Sequence, residues 1–158
     1  MNAVENKLKA LGFKLPTPKP GVGAYKSWTI FSNNIVCTSG QIPWNGNDVA
    51  YTGRLGDETT IEYGFLSAQL CALHAIAQLK EAVNGDLTKI KQIIRVEGNI
   101  YTAPKFSKHA EVLDGASNLF NAVFGEKGIH TRTAQGINSS PLNATTLIYV
   151  FAEIEKDF

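Results

Sequence analysis

The chain has 158 residues, of which 44% are hydrophobic and 18% are charged, and its formal net charge at pH 7 is +1. This length suits one domain, and this composition excludes a disordered chain, which would be poor in apolar residues and rich in unbalanced charge. The near-zero net charge supplies no broad electrostatic field for phosphate backbones or anionic lipid, which argues against nucleic acid as a partner.

The chain is predicted to begin with an extension, residues 1–21, ahead of a single domain at residues 22–158. A short helix is predicted over residues 3–11, because apolar residues recur there at helical spacing before a glycine. Its apolar side comprises Val4, Leu8 and Leu11. Prolines at positions 16, 18 and 20 then impose an extended arm.

The segment from Trp28 to Ser39 is rich in β-branched and aromatic residues and predicts a hairpin. The reversal is placed at Asn33-Asn34, since asparagine tolerates the positive φ of a tight turn. A loop with several glycine and proline breakers follows, and within it we expect only a brief extended stretch over residues 49–52.

Two amphipathic helices are predicted next. Thr59 and Glu62 match a capping box, and the helix that follows is predicted to end at Asn84-Gly85. Its apolar stripe is read as Leu66, Leu70, Leu73 and Ala77. The second helix is predicted from about residue 107 to residue 124, with Gly125 as its C-terminal stop. Its apolar stripe comprises Val112, Leu113, Ala116, Phe120 and Val123.

Three further strands complete the predicted domain. Residues 90–102 form one strand, while residues 131–137 and 145–154 flank a turn and are expected to pair with each other. The order predicts an α+β fold, with two helices on one face of a mixed sheet. Arg95, Glu97 and Asn99 make the other face too polar for a second core, so we expect other copies of the chain to cover it.

Both cysteines, Cys37 and Cys71, lie in apolar segments, and two are too few for a disulfide framework. We interpret each as a small buried residue in a protein from a reducing compartment. The first eleven residues resemble neither a secretory signal nor a membrane anchor, and no later stretch reaches the roughly 18 apolar residues of a membrane span. A cytoplasmic protein without membrane contact is therefore expected.

No metal or cofactor is predicted. His74, His109 and His130 lie on separate predicted elements without the spacing that metal sites reuse. The glycine pair at positions 21 and 23 lacks the third glycine and the preceding strand of a dinucleotide fingerprint, so it is interpreted as a flexible turn.

Several local motifs resemble those of the Rid family of reactive intermediate deaminases, also called the YjgF or endoribonuclease L-PSP family. The most specific is the run Thr38-Ser39-Gly40-Gln41-Ile42-Pro43. The others are Tyr25, the helix end Phe124-Gly125-Glu126, and Arg132 followed by Ser140-Pro141. The order of elements agrees over about residues 22–155, and the extension is similar to that of the family's longer branch.

The resemblance implies a homotrimer of a chorismate-mutase-like fold, with sheets facing inward as a trimeric barrel and ligand clefts between subunits. Arg132 matches the family arginine that pairs with the carboxylate of a 2-imino acid, and it is assigned the catalytic role. A guanidinium suits this role because its planar fork donates two parallel hydrogen bonds to a carboxylate. The cleft tyrosine and serine of the family match Tyr25 and Ser39, and Ser117 stands in place of a family asparagine.

The implied reaction is the hydrolysis of an enamine or imine to a 2-keto acid and ammonia. The family glutamate that activates water is replaced by Leu147, and a leucine neither orients water nor takes a proton. Loss of such a general base lowers a rate by roughly 10²- to 10⁴-fold. Tyr149 is a further candidate for a cleft hydroxyl.

Glu97, Glu153 and His130 are candidate replacements for the missing acid or base. The plainer reading is that Glu97 pairs with Arg95 and that His130 lies in a loop. Three functions therefore remain open: an imine or enamine deaminase, a non-catalytic trimer that binds small carboxylates, and an endoribonuclease. The last is disfavoured by the net charge and by the lack of a basic aromatic stripe.

Overall fold

A computed structural model of the chain describes residues 2–156. Its helices are α1 (Ala3–Ala10), α2 (Ile61–Ala82) and α3 (His109–Phe124). Its strands are β1 (Trp28–Phe31), β2 (Ile35–Thr38), β3 (Trp44–Asn45), β4 (Asp48–Val49), β5 (Ile90–Tyr101), β6 (Thr131–Ile137) and β7 (Thr146–Ile154). The predicted α+β class is confirmed, with α2 and α3 packed on one face of a mixed sheet.

The main sheet has five strands in the order β1-β2-β7-β5-β6. β6 runs parallel to β5, and the other neighbours are antiparallel. The prediction that the last two strands pair with each other is wrong, because β5 lies between them. The loop from residue 138 to residue 145 crosses the end of β5, so that β6 and β7 each satisfy the backbone groups of one side of that strand.

The predicted hairpin is present as β1 and β2, but its turn lies one residue earlier than expected. Ser32 and Asn33 have positive φ angles of 54° and 62° within the three-residue loop that joins the paired residues Phe31 and Ile35. A second, smaller hairpin of β3 and β4 was not predicted. Gly46 supplies its turn with a φ of 62°, and the extended stretch expected at residues 49–52 is limited to the end of β4.

The helix starts differ from the predicted ones. α1 begins with a capping box between Asn2 and Glu5, and it buries Val4 and Leu8. Leu11, which was expected on the same side, caps the helix and is exposed. The N-cap of α2 is Thr60 rather than Thr59, since the Thr60 hydroxyl accepts the N–H of Tyr63 at 3.2 Å.

The apolar stripe predicted for α2 is partly wrong, because Leu66 is 40% exposed while small residues form the buried face. That face includes Ala68, Cys71, Ala72 and Ala75, all without exposed surface. Small residues are required because α2 and α3 approach each other closely. A side chain at Gly115 of α3 would place its Cβ only 2.0 Å from the carbonyl oxygen of Phe65. The stripe predicted for α3 is buried as expected.

The sheet face away from the helices is polar along β5 and β6. Arg95 donates from Nε to Oε1 of Glu97 at 2.9 Å, and it also contacts the hydroxyl of Thr133. On the next step of the ladder, Gln135 donates to the side-chain oxygen of Asn99 at 2.9 Å. The predicted pairing of Glu97 with Arg95 is confirmed, and these half-buried or exposed residues lie on a face that no helix of residues 2–156 covers.

The N-terminal extension packs against the domain. Val4 and Leu8 belong to the same buried core as α2 and α3, and Glu5 forms an ion pair with Lys80 of α2. The arm is fixed at Lys19, whose carbonyl oxygen accepts hydrogen bonds from Gln78 and Ser27. None of the helices within residues 2–156 combines the length and the apolar character needed to cross a membrane.

Candidate functional site

Arg132 lies on β6, which forms one border of the main sheet. Its register with Val96 places the side chain on the face that carries the helices, beside α3. The side chain is 26% exposed, so its guanidinium stands at the rim of the protein rather than in the core or in open solvent.

Three acceptors on one side of α3 hold this guanidinium. Nη1 donates to Oδ1 of Asp114 at 2.8 Å and to the hydroxyl of Ser117 at 3.0 Å, while Nη2 donates to the carbonyl oxygen of Ala110 at 3.3 Å. A guanidinium carries five N–H groups. The N–H of Nε and one N–H of Nη2 therefore have no partner among residues 2–156, and they remain free to bind an anion.

Ser117 links Arg132 to His130. The Nε2 atom of His130 lies 2.9 Å from the Ser117 hydroxyl, and Nδ1 lies 2.6 Å from the carbonyl oxygen of Gly128. Burial lowers the pKa of His130, a lowering that the nearby charge of Arg132 reinforces and the Gly128 hydrogen bond opposes. A neutral imidazole is therefore expected at pH 7.

A second group of predicted site residues lies where β2 ends. Ser39 donates its hydroxyl proton to the carbonyl oxygen of Ser27 at 3.2 Å, which leaves only oxygen lone pairs for a ligand. Gly40 lies against β7, since a Cβ there would be 3.1 Å from Leu147 and 3.3 Å from Tyr149. The structure thus brings Ser39, Leu147 and Tyr149 into one neighbourhood.

Tyr25 lies in the loop before β1 and is 53% exposed. Its hydroxyl oxygen accepts the N–H of Val22 at 3.3 Å, which leaves the phenolic proton available. The ring lines an open groove of about 660 Å³ between the arm and β1. The groove is also lined by Lys19, Trp28, Gln78 and Glu81.

The two groups stand at opposite borders of the sheet. Arg132 and Ser117 lie beside β6, while Tyr25 and Ser39 adjoin β1 and β2, and β7 and β5 run between them. A single chain therefore does not bring all five predicted site residues into one pocket. It holds two part-sites, one around a guanidinium and one around hydroxyl groups.

The remaining chemical candidates are engaged in structural contacts. Glu97 pairs with Arg95, and Glu153 pairs with Lys91 at 3.2 Å. Burial raises the pKa of the Cys71 thiol to about 12, which makes it a poor nucleophile. Within residues 2–156, no three His, Cys, Asp or Glu side chains are grouped so that they could hold a metal ion.

Asp114 is the member of the Arg132 group that sequence reasoning missed. Asp114 and Ser117 are spaced i, i+3 on α3 and interrupt its apolar stripe, so they face the same neighbour. That spacing was a usable signal for a polar contact. Its partner could be identified only once β6 was known to lie beside α3.

Comparisons with known proteins agree with this architecture. The family model described as "YjgF/chorismate_mutase-like, putative endoribonuclease" matches residues 5–154. Protein TCP17 of Trypanosoma cruzi is 33% identical over 154 residues, which cover 97% of this chain and 95% of that protein.

Two solved structures are similar over nearly their whole length. One, described as a "putative endoribonuclease" from Shewanella oneidensis, is 39% identical with a TM-score of 0.92, and the match covers 97% of this chain and 100% of that one. Atu1372 from Agrobacterium tumefaciens, of unknown function, is 38% identical with a TM-score of 0.90, covering 97% and 94%. The chain therefore belongs to the YjgF/chorismate-mutase-like family, the Rid family that its motifs resemble.

Proposed function

We propose that this protein is a homotrimer that binds small carboxylates in clefts between its subunits and hydrolyses enamines or imines there to 2-keto acids and ammonia. The observation that carries the proposal is the guanidinium of Arg132, which α3 holds at a sheet border with two N–H groups left to donate. Such a cation suits a carboxylate because a guanidinium can donate two parallel hydrogen bonds to its two oxygens.

A second copy of the chain is needed because the two part-sites lie at opposite borders of one sheet. In a closed ring, the β6 border of one copy meets the β1 border of the next. The same arrangement covers the polar face formed by Arg95, Glu97 and Thr133. Each cleft then contains Arg132 from one subunit and Tyr25 with Ser39 from its neighbour.

The available donors and acceptors suit a ligand with a carboxylate at one end and a nitrogen close to it. Arg132 supplies N–H donors for the carboxylate. Ser39 offers lone pairs, because its own proton is directed at the Ser27 carbonyl, and these can accept an N–H from an enamine or imine nitrogen. The Tyr25 hydroxyl adds a proton donor.

One observation favours a second candidate, a carboxylate-binding trimer without catalysis. Leu147 is only 4% exposed and packs in a small cluster with Ile42 and Ala144. The partly buried side chains around that cluster are Trp44, Val49, Ile137 and Tyr149. The cluster contains no carboxylate or imidazole, so it offers nothing to deprotonate an attacking water.

The deciding assay generates 2-iminobutyrate from threonine with a dehydratase and follows the formation of 2-ketobutyrate. We expect the wild-type protein to accelerate the hydrolysis step and Arg132→Ala to abolish the acceleration. Arg54→Ala is the matched control, because it removes the same charge from an exposed Arg54–Asp57 pair outside both part-sites. Equal activity of wild type and Arg132→Ala would contradict the proposed role of the guanidinium.

Binding is measured separately by titrating 2-ketobutyrate into the three proteins. Loss of charge-assisted hydrogen bonds of about 1.5–3 kcal/mol predicts a dissociation constant roughly 10- to 100-fold weaker for Arg132→Ala. Binding without acceleration supports the non-catalytic candidate. Light scattering gives the oligomeric state, and a monomeric mass would remove the cleft and both candidates.

Ribonuclease activity is not proposed, although the family description contains the word endoribonuclease. The net charge of +1 provides little attraction for an RNA backbone. RNA cleavage that persists through further purification and disappears in Arg132→Ala would overturn this exclusion.

A further inference from the structure

We infer that Ser117 and His130 are positioning residues, which orient the guanidinium of Arg132 through a directed chain of hydrogen bonds that ends at the carbonyl oxygen of Gly128. The inference rests on the proposed carboxylate site. It adds two residues that act on the ligand only through Arg132.

The direction of the chain follows from its last member. A carbonyl oxygen can only accept, so Nδ1 of His130, 2.6 Å from the oxygen of Gly128, must carry the proton. In the neutral ring, Nε2 is then an acceptor. Because Nε2 lies 2.9 Å from the hydroxyl of Ser117, that hydroxyl must be the donor.

The orientation of the Ser117 hydroxyl decides what it offers to Arg132. A serine hydroxyl can rotate, and it can present either its proton or a lone pair to a neighbour. With the proton directed at His130, a lone pair is presented to Nη1 of Arg132, at 3.0 Å. The imidazole therefore makes Ser117 a dedicated acceptor for the guanidinium.

This acceptor completes the placement of the guanidinium plane. Asp114 and Ser117 together use both N–H groups of Nη1, and Ala110 accepts from Nη2 on the same side of α3. Asp114 alone is 46% exposed at its side chain and would leave the plane free to turn. A cation held in one orientation binds a carboxylate more tightly, since less conformational freedom is lost on binding.

Ser117 is a positioning residue rather than a nucleophile because it is only 7% exposed. His130 is partly buried, with its ring edge-on to Phe120 at a centroid distance of 5.8 Å. Gly128 packs closely against α3, since a Cβ at this position would lie 2.1 Å from the carbonyl oxygen of Phe120. This close packing holds the Gly128 carbonyl in place. The chain of hydrogen bonds is thus anchored to α3 at both ends.

The test titrates pyruvate into wild type, Arg132→Ala, Ser117→Ala, His130→Phe and His130→Gln, with thermal melts to confirm folding. We expect Ser117→Ala and His130→Phe to raise the Kd for pyruvate by about 5- to 10-fold, which is the effect of one lost hydrogen bond. His130→Gln keeps an acceptor oxygen near the place of Nε2 and should remain within about twofold of wild type. Asn118→Ala, at an exposed neighbouring position on α3, is the control without effect.

The outcomes separate the two proposals. If wild type and Arg132→Ala bind pyruvate equally, or neither binds it, the carboxylate site itself is wrong. If Arg132→Ala loses binding while Ser117→Ala and His130→Phe bind as wild type does, only the positioning inference is overturned. Equal weakening by His130→Phe and His130→Gln would also overturn it, since it would indicate a packing role.

A second measurement needs no variant and no ligand. The ¹⁵N chemical shifts of His130 distinguish the two neutral tautomers. We expect the tautomer protonated at Nδ1, and a ring protonated at Nε2 would overturn the inference, because Ser117 would then accept from His130 instead of donating to it. This readout decides the question even if a substituted protein does not fold.

Discussion

The side-chain amide of Gln78 donates a hydrogen bond to the carbonyl oxygen of Lys19 at 2.8 Å, across 59 residues of sequence. Gln78 is almost fully buried on α2, so this contact attaches the N-terminal arm to the helix. Gln78→Leu keeps the approximate volume and removes the donor. We expect the free energy of unfolding to fall by about 1–3 kcal/mol, because a partly buried carbonyl loses a partner.

The same change should release the arm. Limited proteolysis is expected to cut Gln78→Leu within residues 12–24 faster than wild type. Gln69→Leu is the control, since Gln69 lies on the same helix and its side chain makes no hydrogen bond within residues 2–156. Equal cleavage rates for all three proteins would mean that other contacts hold the arm.

Substitution of Gly115 tests the contact between α2 and α3. Gly115→Ala places a methyl group 2.0 Å from the carbonyl oxygen of Phe65, and backbone cannot move aside as a flexible side chain can. We expect a loss of about 3 kcal/mol or more, at the upper end of overpacking effects. Gly23→Ala, whose Cβ would meet only the Tyr25 ring at 3.3 Å, should leave the denaturation midpoint almost unchanged.

The buried histidines predict how stability depends on pH. Burial lowers the pKa of His74, a lowering that its hydrogen bond to the Trp44 carbonyl opposes and the charge of Lys19 reinforces. In the unfolded chain, His74 has the ordinary histidine pKa of about 6.5, so it binds more protons there than in the folded chain as the pH falls. The free energy of unfolding is therefore expected to decrease as the pH is lowered from 7.5 to 5.5. His130 contributes with the same sign.

Urea denaturation at several pH values checks this dependence. His74→Gln should flatten the slope between pH 5.5 and 7.5. The pKa values of the Glu5 and Asp86 carboxyl groups are also lowered, but these groups affect stability only in more acidic solution. They therefore do not contribute to the slope between pH 5.5 and 7.5. An unchanged slope in His74→Gln would refute the assignment.

Complementation tests whether the site is shared between subunits. Arg132→Ala and Tyr25→Ala subunits, each deficient alone, should regain ligand binding when they are mixed, unfolded and refolded together. In random mixed trimers, roughly a quarter of the clefts combine an intact β6 border with an intact β1 border. Mixing without unfolding is the control, and no recovery in refolded mixtures would show that both residues act within one subunit.

Local sequence patterns predicted the helices and strands well, but they did not predict which strands lie next to each other in the sheet. The apolar stripe of α3 and the polar side of β5 could be predicted from the spacing of apolar and polar residues, because each depends only on the repeat of that helix or strand. The position of β5 between β6 and β7 depends on how a loop crosses the sheet, which turn residues do not encode. The prediction for α2 failed in part for a related reason, since Leu66 lies on its exposed side while small residues form its closest contact with α3.

The candidate site shows the same division. Arg132, Ser39 and Tyr25 could be named from motifs, because those motifs are contiguous in sequence. Asp114 holds Arg132 from another element, 18 residues away, and only the packing of β6 on α3 reveals the pair. The proton direction from Ser117 to His130 likewise depends on the carbonyl of Gly128, whose location no sequence pattern specifies.

Because only a hydrogen atom fits between Gly115 and the Phe65 carbonyl, the two long helices are interlocked. A sliding or rotation that brought another side chain of α3 to this contact would produce a steric clash. Any adjustment to a new ligand is therefore confined to side-chain rotamers and to the loops at the two sheet borders. Divergence of specificity on this scaffold would proceed by exchanging border residues above an unchanged helical layer.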